Sequence, residues 1–350
     1  MDVKKFWKEN WDGVRVPLVL MFEEYYLFGA LPETVSKQYY TDLECRHACE
    51  KKFNNLAEQE IGIRPFNEEK LIYMKGALEV RLGAQRIVDS GETAWIHPAV
   101  QSKEELSGWI TKTAELDLRN DPVPEDWKSE ADSFTEKTGV RVTYIPSTTG
   151  PVTMAAGLLG TTELCMWSMD VPDLMADFFE ILCQKQIEFN EGVSLMEGGE
   201  IKRTGIGIND DSCCLFSPPM YEQYIVPYLE KLFNAFAPDQ RHKRRQHSDS
   251  AMGHLMPLLN QLGVNEVNLG PSIHPSDIRE AMPDAMIHGQ MPPNTLRNGT
   301  EEDIRKTVQR DFDALGYEKF MESTAGVTSA GTPWENIRYY MKAVEEITAK

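Results

Sequence analysis

Residues 243 to 337 limit most strongly what this chain can fold into. Four short, partly apolar runs recur there: KRRQHSDS, VNEVNLGP, DAMIHGQMPP and YEKFMESTAG. Each ends in polar or small residues. Between them lie AMGHLMPLLNQLG, HPSDIREAM and TEEDIRKTVQRDFDALG, whose apolar residues recur at helical spacing. A strand needs few residues, whereas a return to a parallel neighbour needs a crossover of a dozen or more. The alternation predicts a βα succession on a parallel sheet. In such folds functional side chains collect where strands end and loops begin. The polar residues at those ends are His247, Asp249, Asn268, His288, Gln290, Glu322, Ser323 and Thr324.

The rhythm extends upstream. VRVTYIPS reads as a strand, and STTGPVTMAAGLLG as a helix start whose amides could hold an anion or serve as an ordinary N-cap. A long helix follows Pro172, with Asp170 as its cap and Leu164–Trp167 as a further strand. GIGI is a strand whose glycines permit close approach, and Asn209, Asp210 and Asp211 stand at its end. SPPMYEQYIVPYLEKLF is a helix with prolines in its first turn and a kink at Pro227.

Nearer the start, VRVPLVLMF reads as a strand and Val35 to Glu58 as one helix. KLIYMKG and ALEVRLGAQRIVDSG read as a hairpin or meander. Ser102 and Glu105 fit a capping box, and the helix from Pro124 to Thr138 ends at Gly139. With at least six strands from Val140 onward, the architecture expected is α/β: a (β/α)8 TIM barrel with an N-terminal extension. Residues 1–350 form a single domain in this reading, with 1–90 a subregion packed on the barrel.

Hydrophobic residues make up 41% of the 350, enough for a core of that size. With 36 basic and 55 acidic residues the formal charge is −19, which repels nucleic acid. The basic run Arg241 to Arg245 reads as a solvated turn before a strand. No apolar run is long enough to span a membrane. The start, MDVKKFWKENWDG, lacks the apolar segment of a secretory signal, so a cytoplasmic location and reduced thiols are expected. None of the six cysteines forms a CxxC pair.

Five pieces occur in a telling order: RVPLVL, NDDSCCLFSPPMYEQYIVPYLEKL, HSDS, GQMPPNTLRNGTEEDIRKTVQRD and STAGVTSAGTPWENIRYYMKAV. Together they resemble the uroporphyrinogen decarboxylase superfamily, which includes cobalamin-linked methyltransferases acting with a separate corrinoid protein. The arginine-rich RQAGRY-like loop that holds propionates in true uroporphyrinogen decarboxylases is absent here. The methyltransferases carry a zinc triad, with His and Cys from an HxC motif and a second Cys in a glycine-rich loop. The matching positions are His247, Asp249 and, approximately, Thr324. The histidine is kept and both cysteines are replaced.

Two thiolates would activate a bound thiol on a soft zinc centre. An Asp and a Thr instead suit the related O-demethylase components, in which a Lewis acid stabilises a departing phenolate. The resemblance thus implies methyl transfer from a small methylated donor, a methoxylated aromatic, to a corrinoid supplied by a partner protein. Candidate zinc ligands are His247, Asp249, Glu266, His288 and Glu322. His247, Asp249 and Asp210 are candidate catalytic groups. Tyr144, Trp167, Asn209 and Gln290 are candidate substrate contacts. Two alternatives stand beside this reading. One is a decarboxylase or lyase acting on a small carboxylic acid. The other is a non-catalytic binder of the corrinoid pathway.

Overall fold

A computed structural model describes residues 2–73, 78–88 and 95–350. Ten strands are seen among them: β1 (Leu18–Val19), β2 (Lys70–Ile72), β3 (Gln85–Ile87), β4 (Trp95–His97), β5 (Arg141–Thr143), β6 (Gly205–Asn209), β7 (Lys243–Ser248), β8 (Glu266–Leu269), β9 (Met286–His288) and β10 (Phe320–Ser323). The chain divides into two compact units. One comprises residues 1–68, 246–260 and 264–350, and the other 69–245 and 261–263. β7 therefore begins in the second unit and ends in the first.

In the first unit the strand order is β1-β10-β9-β8-β7. β1 with β10, β10 with β9, and β9 with β8 all pair in parallel. The helices Pro275–Ala281 and Glu301–Leu315 provide the returns that parallel pairing requires. Helix Glu301–Leu315 starts where Thr300 and Asp303 form a reciprocal capping box, and it buries Ile304, Val308 and Leu315 on one face.

Register divides the strand side chains into two faces. Ile287 stands beside both Val267 and Phe320, and all three are buried apolar residues. Met286 stands beside Glu266, and His288 beside Met321, on the other face. Because side chains alternate along a strand, Asn268 shares the face of Glu266, and Glu322 shares that of Phe320.

The amino-terminal segment belongs to this unit. Asn10 ties β1 down through its own amide, which bonds both Leu18 N and Leu18 O at 2.9 Å. The helix expected over 35–58 is two helices, Ser36–Thr41 and Leu43–Ile61. Asp42 breaks it: its Oδ1 accepts from Glu44 N and Cys45 N, which caps the second helix and holds Asp42 itself extended.

In the second unit β2 pairs in parallel with β5, and β3 in antiparallel with β4. The expected hairpin of KLIYMKG with ALEVRLGAQRIVDSG is therefore corrected. The first run joins β5 and Leu78–Arg81 is helical; Gly76 and Gly91, which bound these runs, lie outside the described residues. Residues Leu164–Trp167 are not a strand but part of helix Thr161–Asp170. Leu164, Trp167 and Ser168 are its buried residues, spaced three and four apart as one helix face requires. Asp170 does not cap the next helix; it pairs with Lys103 at 2.7 Å. Setting β3 and β4 aside, eight strands remain among the described residues. Among the described residues no helix is long and apolar enough to cross a membrane.

Candidate functional site

The carboxyl ends of β7, β8, β9 and β10 are joined by one fully buried amide, that of Asn268. Its Nδ2 donates to His288 O at 2.9 Å and to Thr324 O at 3.0 Å. Carbonyls only accept, so this nitrogen cannot exchange places with the oxygen. Oδ1 accepts from Gly326 N at 3.2 Å and lies 2.8 Å from His247 Nδ1. His247 Nδ1 must then carry a hydrogen, so in the neutral ring the lone pair falls on Nε2. That Nε2 faces Asp249 Oδ1 at 3.5 Å.

Asp249 is held close by glycine. A Cβ at Gly326, where φ is +101°, would lie 2.4 Å from Asp249 Oδ1. A Cβ at Gly270 would lie 2.3 Å from Asp249 O. The loops after β8 and β10 can close on Asp249 because both positions lack a side chain.

A second nitrogen–carboxylate pair occupies the same strand face. His288 Nε2 stands 3.1 Å from Glu266 Oε1, with both side chains largely buried. The two-residue period thus brings His247, Asn268, Glu266 and His288 to one face. Glu322, expected with them, belongs to the opposite face. Its Oε1 accepts from the Tyr340 hydroxyl at 3.0 Å, in helix Trp334–Ile347. Burial, with Asp311 nearby, raises its carboxyl well above the usual range. The buried Asp311 is likewise pushed up to about 6 by burial, against the Arg310 guanidinium that holds it down. Glu322 is therefore a helix-packing group.

Thr324, at the position of the second cysteine, is buried and donates its hydroxyl to Gly326 O at 2.8 Å. Gln290 is 1% exposed; its Nε2 donates to Leu269 O, and its Oε1 has no hydrogen-bond partner among the described residues.

In the second unit Asp210 is fully buried. Its Oδ1 accepts from Thr153 N and Thr153 Oγ1, both at 2.8 Å, and its Oδ2 from Val152 N at 3.3 Å. The amides at the start of helix Pro151–Leu159 do hold a carboxylate, and it is the chain's own. Burial raises Asp210 to about 6 while these bonds oppose the rise. A carboxylate so enclosed is a cap, which corrects its expected catalytic placement. Asn209 bonds Thr148 Oγ1 and accepts from Arg245 at 3.3 Å. Trp167 is 5% exposed inside its helix and presents no ring at a strand end. Tyr144 donates its hydroxyl to Trp127 O at 2.9 Å and borders a cavity of the same unit.

The linchpin role of Asn268 was not readable from sequence, since nothing local marks an asparagine that bridges four strand ends. The glycine of STAGV was the available signal for a close approach near Asp249.

Comparisons with known proteins agree with this architecture. The sequence profile "Uroporphyrinogen decarboxylase (URO-D)" matches residues 110–347. Uroporphyrinogen decarboxylase 2, chloroplastic, of Arabidopsis thaliana is 24% identical over 143 residues, which are 41% of this chain and 36% of that protein's length. A methyltransferase from Methanosarcina mazei superposes with a TM-score of 0.64 at 18% identity, covering 98% of both chains. At that identity the likeness concerns the fold, a (β/α)8 barrel. With the profile matching more than half of its length, the chain belongs to the uroporphyrinogen decarboxylase (URO-D) family.

Proposed function

We propose that this protein moves a methyl group from a small methylated donor, a methoxylated aromatic, to a corrinoid carried by a separate protein. The carrying observation is the orientation of the His247 ring, whose Nδ1 is held by Asn268 and whose Nε2 is turned toward Asp249. The methyltransferase from Methanosarcina mazei, which shares the fold along its length, supports the reaction type.

The donor set suits the chemistry. One imidazole nitrogen and a carboxylate are ligands that zinc accepts, and they favour work on oxygen over work on sulfur. His247 and Asp249 would hold the ion; Glu266 and His288 offer a second pair of the same kind. When bound, zinc supplies a Lewis acid for the departing phenolate oxygen.

The chain's own residues do the rest. Asn268 orients His247 and keeps its proton on Nδ1, the outer-shell role that fixes a ligating imidazole. Gly326 and Gly270 let the neighbouring loops settle against Asp249. Thr324, with its hydroxyl spent on Gly326 O, leaves that position without a thiolate.

The test is anaerobic transfer from methoxybenzoates to a Co(I) corrinoid protein, read by the cobalt absorption spectrum. Methyl-cobalt should form with the wild type and not with His247→Ala, which should remain folded. Undiminished transfer in that variant would sink the role given to His247. Loss of carbon dioxide from a small acid is the competing reading, favoured by Arg245 at the end of the second unit's part of β7. It requires neither zinc nor corrinoid.

A further inference from the structure

The second unit contains a cavity of 490 Å³ whose lining residues all belong to that unit. It arises where two chain segments part. The segment after β5 is pinned to β6 at one point, where Gly150 N donates to Asn209 O and Asn209 N to Thr148 O, both at 2.7 Å. Before that pin, Tyr144–Ser147 and Gly205–Gly207 have no bridge between them among the described residues. The edge of β6 borders the cavity without a ladder partner on that side, as a ready hydrogen-bonding surface.

The opposite wall is rigidly built. Ser147 N donates to Asn190 Oδ1 at 2.7 Å, and Ser147 O accepts from Asn190 Nδ2 at 3.0 Å. The Ser147 hydroxyl oxygen, by contrast, is buried and has no partner among the described residues. Arg141 and Glu197 neutralise each other at 2.8 Å, and the other Glu197 oxygen accepts from Tyr144 N. Lys70 and Lys202 also line the cavity and form no ion pair among the described residues, with Glu200 the remaining carboxylate. On a chain of net charge −19, two uncommitted lysines at one cavity make a local cationic site. Tyr144, Phe236 and Ile145 add apolar surface, and Ile145 is 54% exposed. An exposed isoleucine and an unsatisfied buried hydroxyl are both costs that a bound molecule would relieve.

We propose that this cavity binds a small aromatic carboxylate, its ring against Tyr144 and Phe236 and its anionic group toward Lys70 and Lys202. Ser147 and the β6 edge supply hydrogen bonds to its remaining polar atoms. The inference goes beyond methyl transfer and does not rest on it.

The probe is 4-fluorobenzoate, followed by fluorine line broadening on the full chain. It should bind the wild type and His247→Ala equally. Binding should weaken about tenfold or more in Lys70→Glu/Lys202→Glu, and be lost in Ser194→Phe, which fills the cavity from a half-buried helix position. Thermal melting establishes that each variant is folded. The neutral 4-fluorobenzamide should bind at least about tenfold more weakly. Absence of binding at millimolar probe, equal binding of the amide, or retained affinity in the folded Ser194→Phe variant would each overturn the proposal. Loss of binding in His247→Ala would place the probe elsewhere and overturn it too.

Discussion

Asn268 decides which nitrogen of His247 carries the proton. The 2.8 Å contact between Asn268 Oδ1 and His247 Nδ1 has one sense only, because the Asn268 amide hydrogens are committed to two carbonyls. His247 is thereby presented with Nε2 toward Asp249. The same four contacts fasten β8 to the ends of β7, β9 and β10.

Asn268→Ala should therefore damage both stability and function. Several bonds of a buried amide vanish, and their carbonyl partners are left buried. The cost should be about 3 kcal/mol by urea denaturation. Transfer activity in the folded fraction should fall at least about tenfold, because the His247 ring loses its orienting partner. Unchanged activity per folded molecule would separate Asn268 from the site.

Gly326→Ala should act on Asp249. The new Cβ would lie 2.4 Å from Asp249 Oδ1 in a backbone at φ +101°. Strain of about 1–3 kcal/mol should appear as a lower unfolding midpoint. Zinc affinity should fall with it, since the carboxylate must move. Wild-type zinc affinity in this variant would show that Asp249 is not positioned by the loop.

Asp210→Asn should behave as a lost cap. The change leaves one acceptor oxygen for three donors at the start of helix Pro151–Leu159. Stability should drop by about 1–2 kcal/mol. Activity per folded molecule should stay within about twofold of wild type, well under the loss typical of a removed general acid or base. A hundredfold loss would restore the catalytic role.

The Asp311–Glu322 pair predicts a pH dependence. Folding raises both carboxyls, Asp311 to about 6 from 3.8 and Glu322 well above its ordinary value. The folded state then holds protons that the unfolded state releases. The pair's contribution is full below about pH 4 and is lost as pH rises through 6 and beyond. For Asp311 the distance from 3.8 to about 6 corresponds to about 3 kcal/mol. Glu322→Gln, which resembles the protonated acid, should flatten this decline in urea denaturation at pH 5 to 8. An equally steep decline in the variant would show that the pair is not its source.

The βα succession was legible because strand and helix periods differ, and the returns over 275–281 and 301–315 lie where the apolar spacing put them. His247, Asp249, Glu266 and His288 were legible as groups near strand ends. Glu322 was not, because its facing depends on register: Met321, one residue earlier, is the neighbour of His288. Parity along a strand cannot be read until the partner is known. Asp210 was readable as a carboxylate at a strand end, and the helix start at 150–153 as either an anion holder or an ordinary N-cap. Their pairing joins residues 57 and 58 positions apart and emerges only in the fold. Trp167 was misplaced because a four-residue apolar run fits either period.

If His247 Nε2 serves a bound metal, the metal is lost with the imidazole. Elemental analysis of protein purified without chelator tests it most directly, with His247→Ala prepared in parallel. The account predicts about one zinc per wild-type chain, the occupancy of a single-ion catalytic site, and its loss in the folded variant. Wild-type protein that stays zinc-free after reconstitution, or a variant that keeps its zinc, would contradict it.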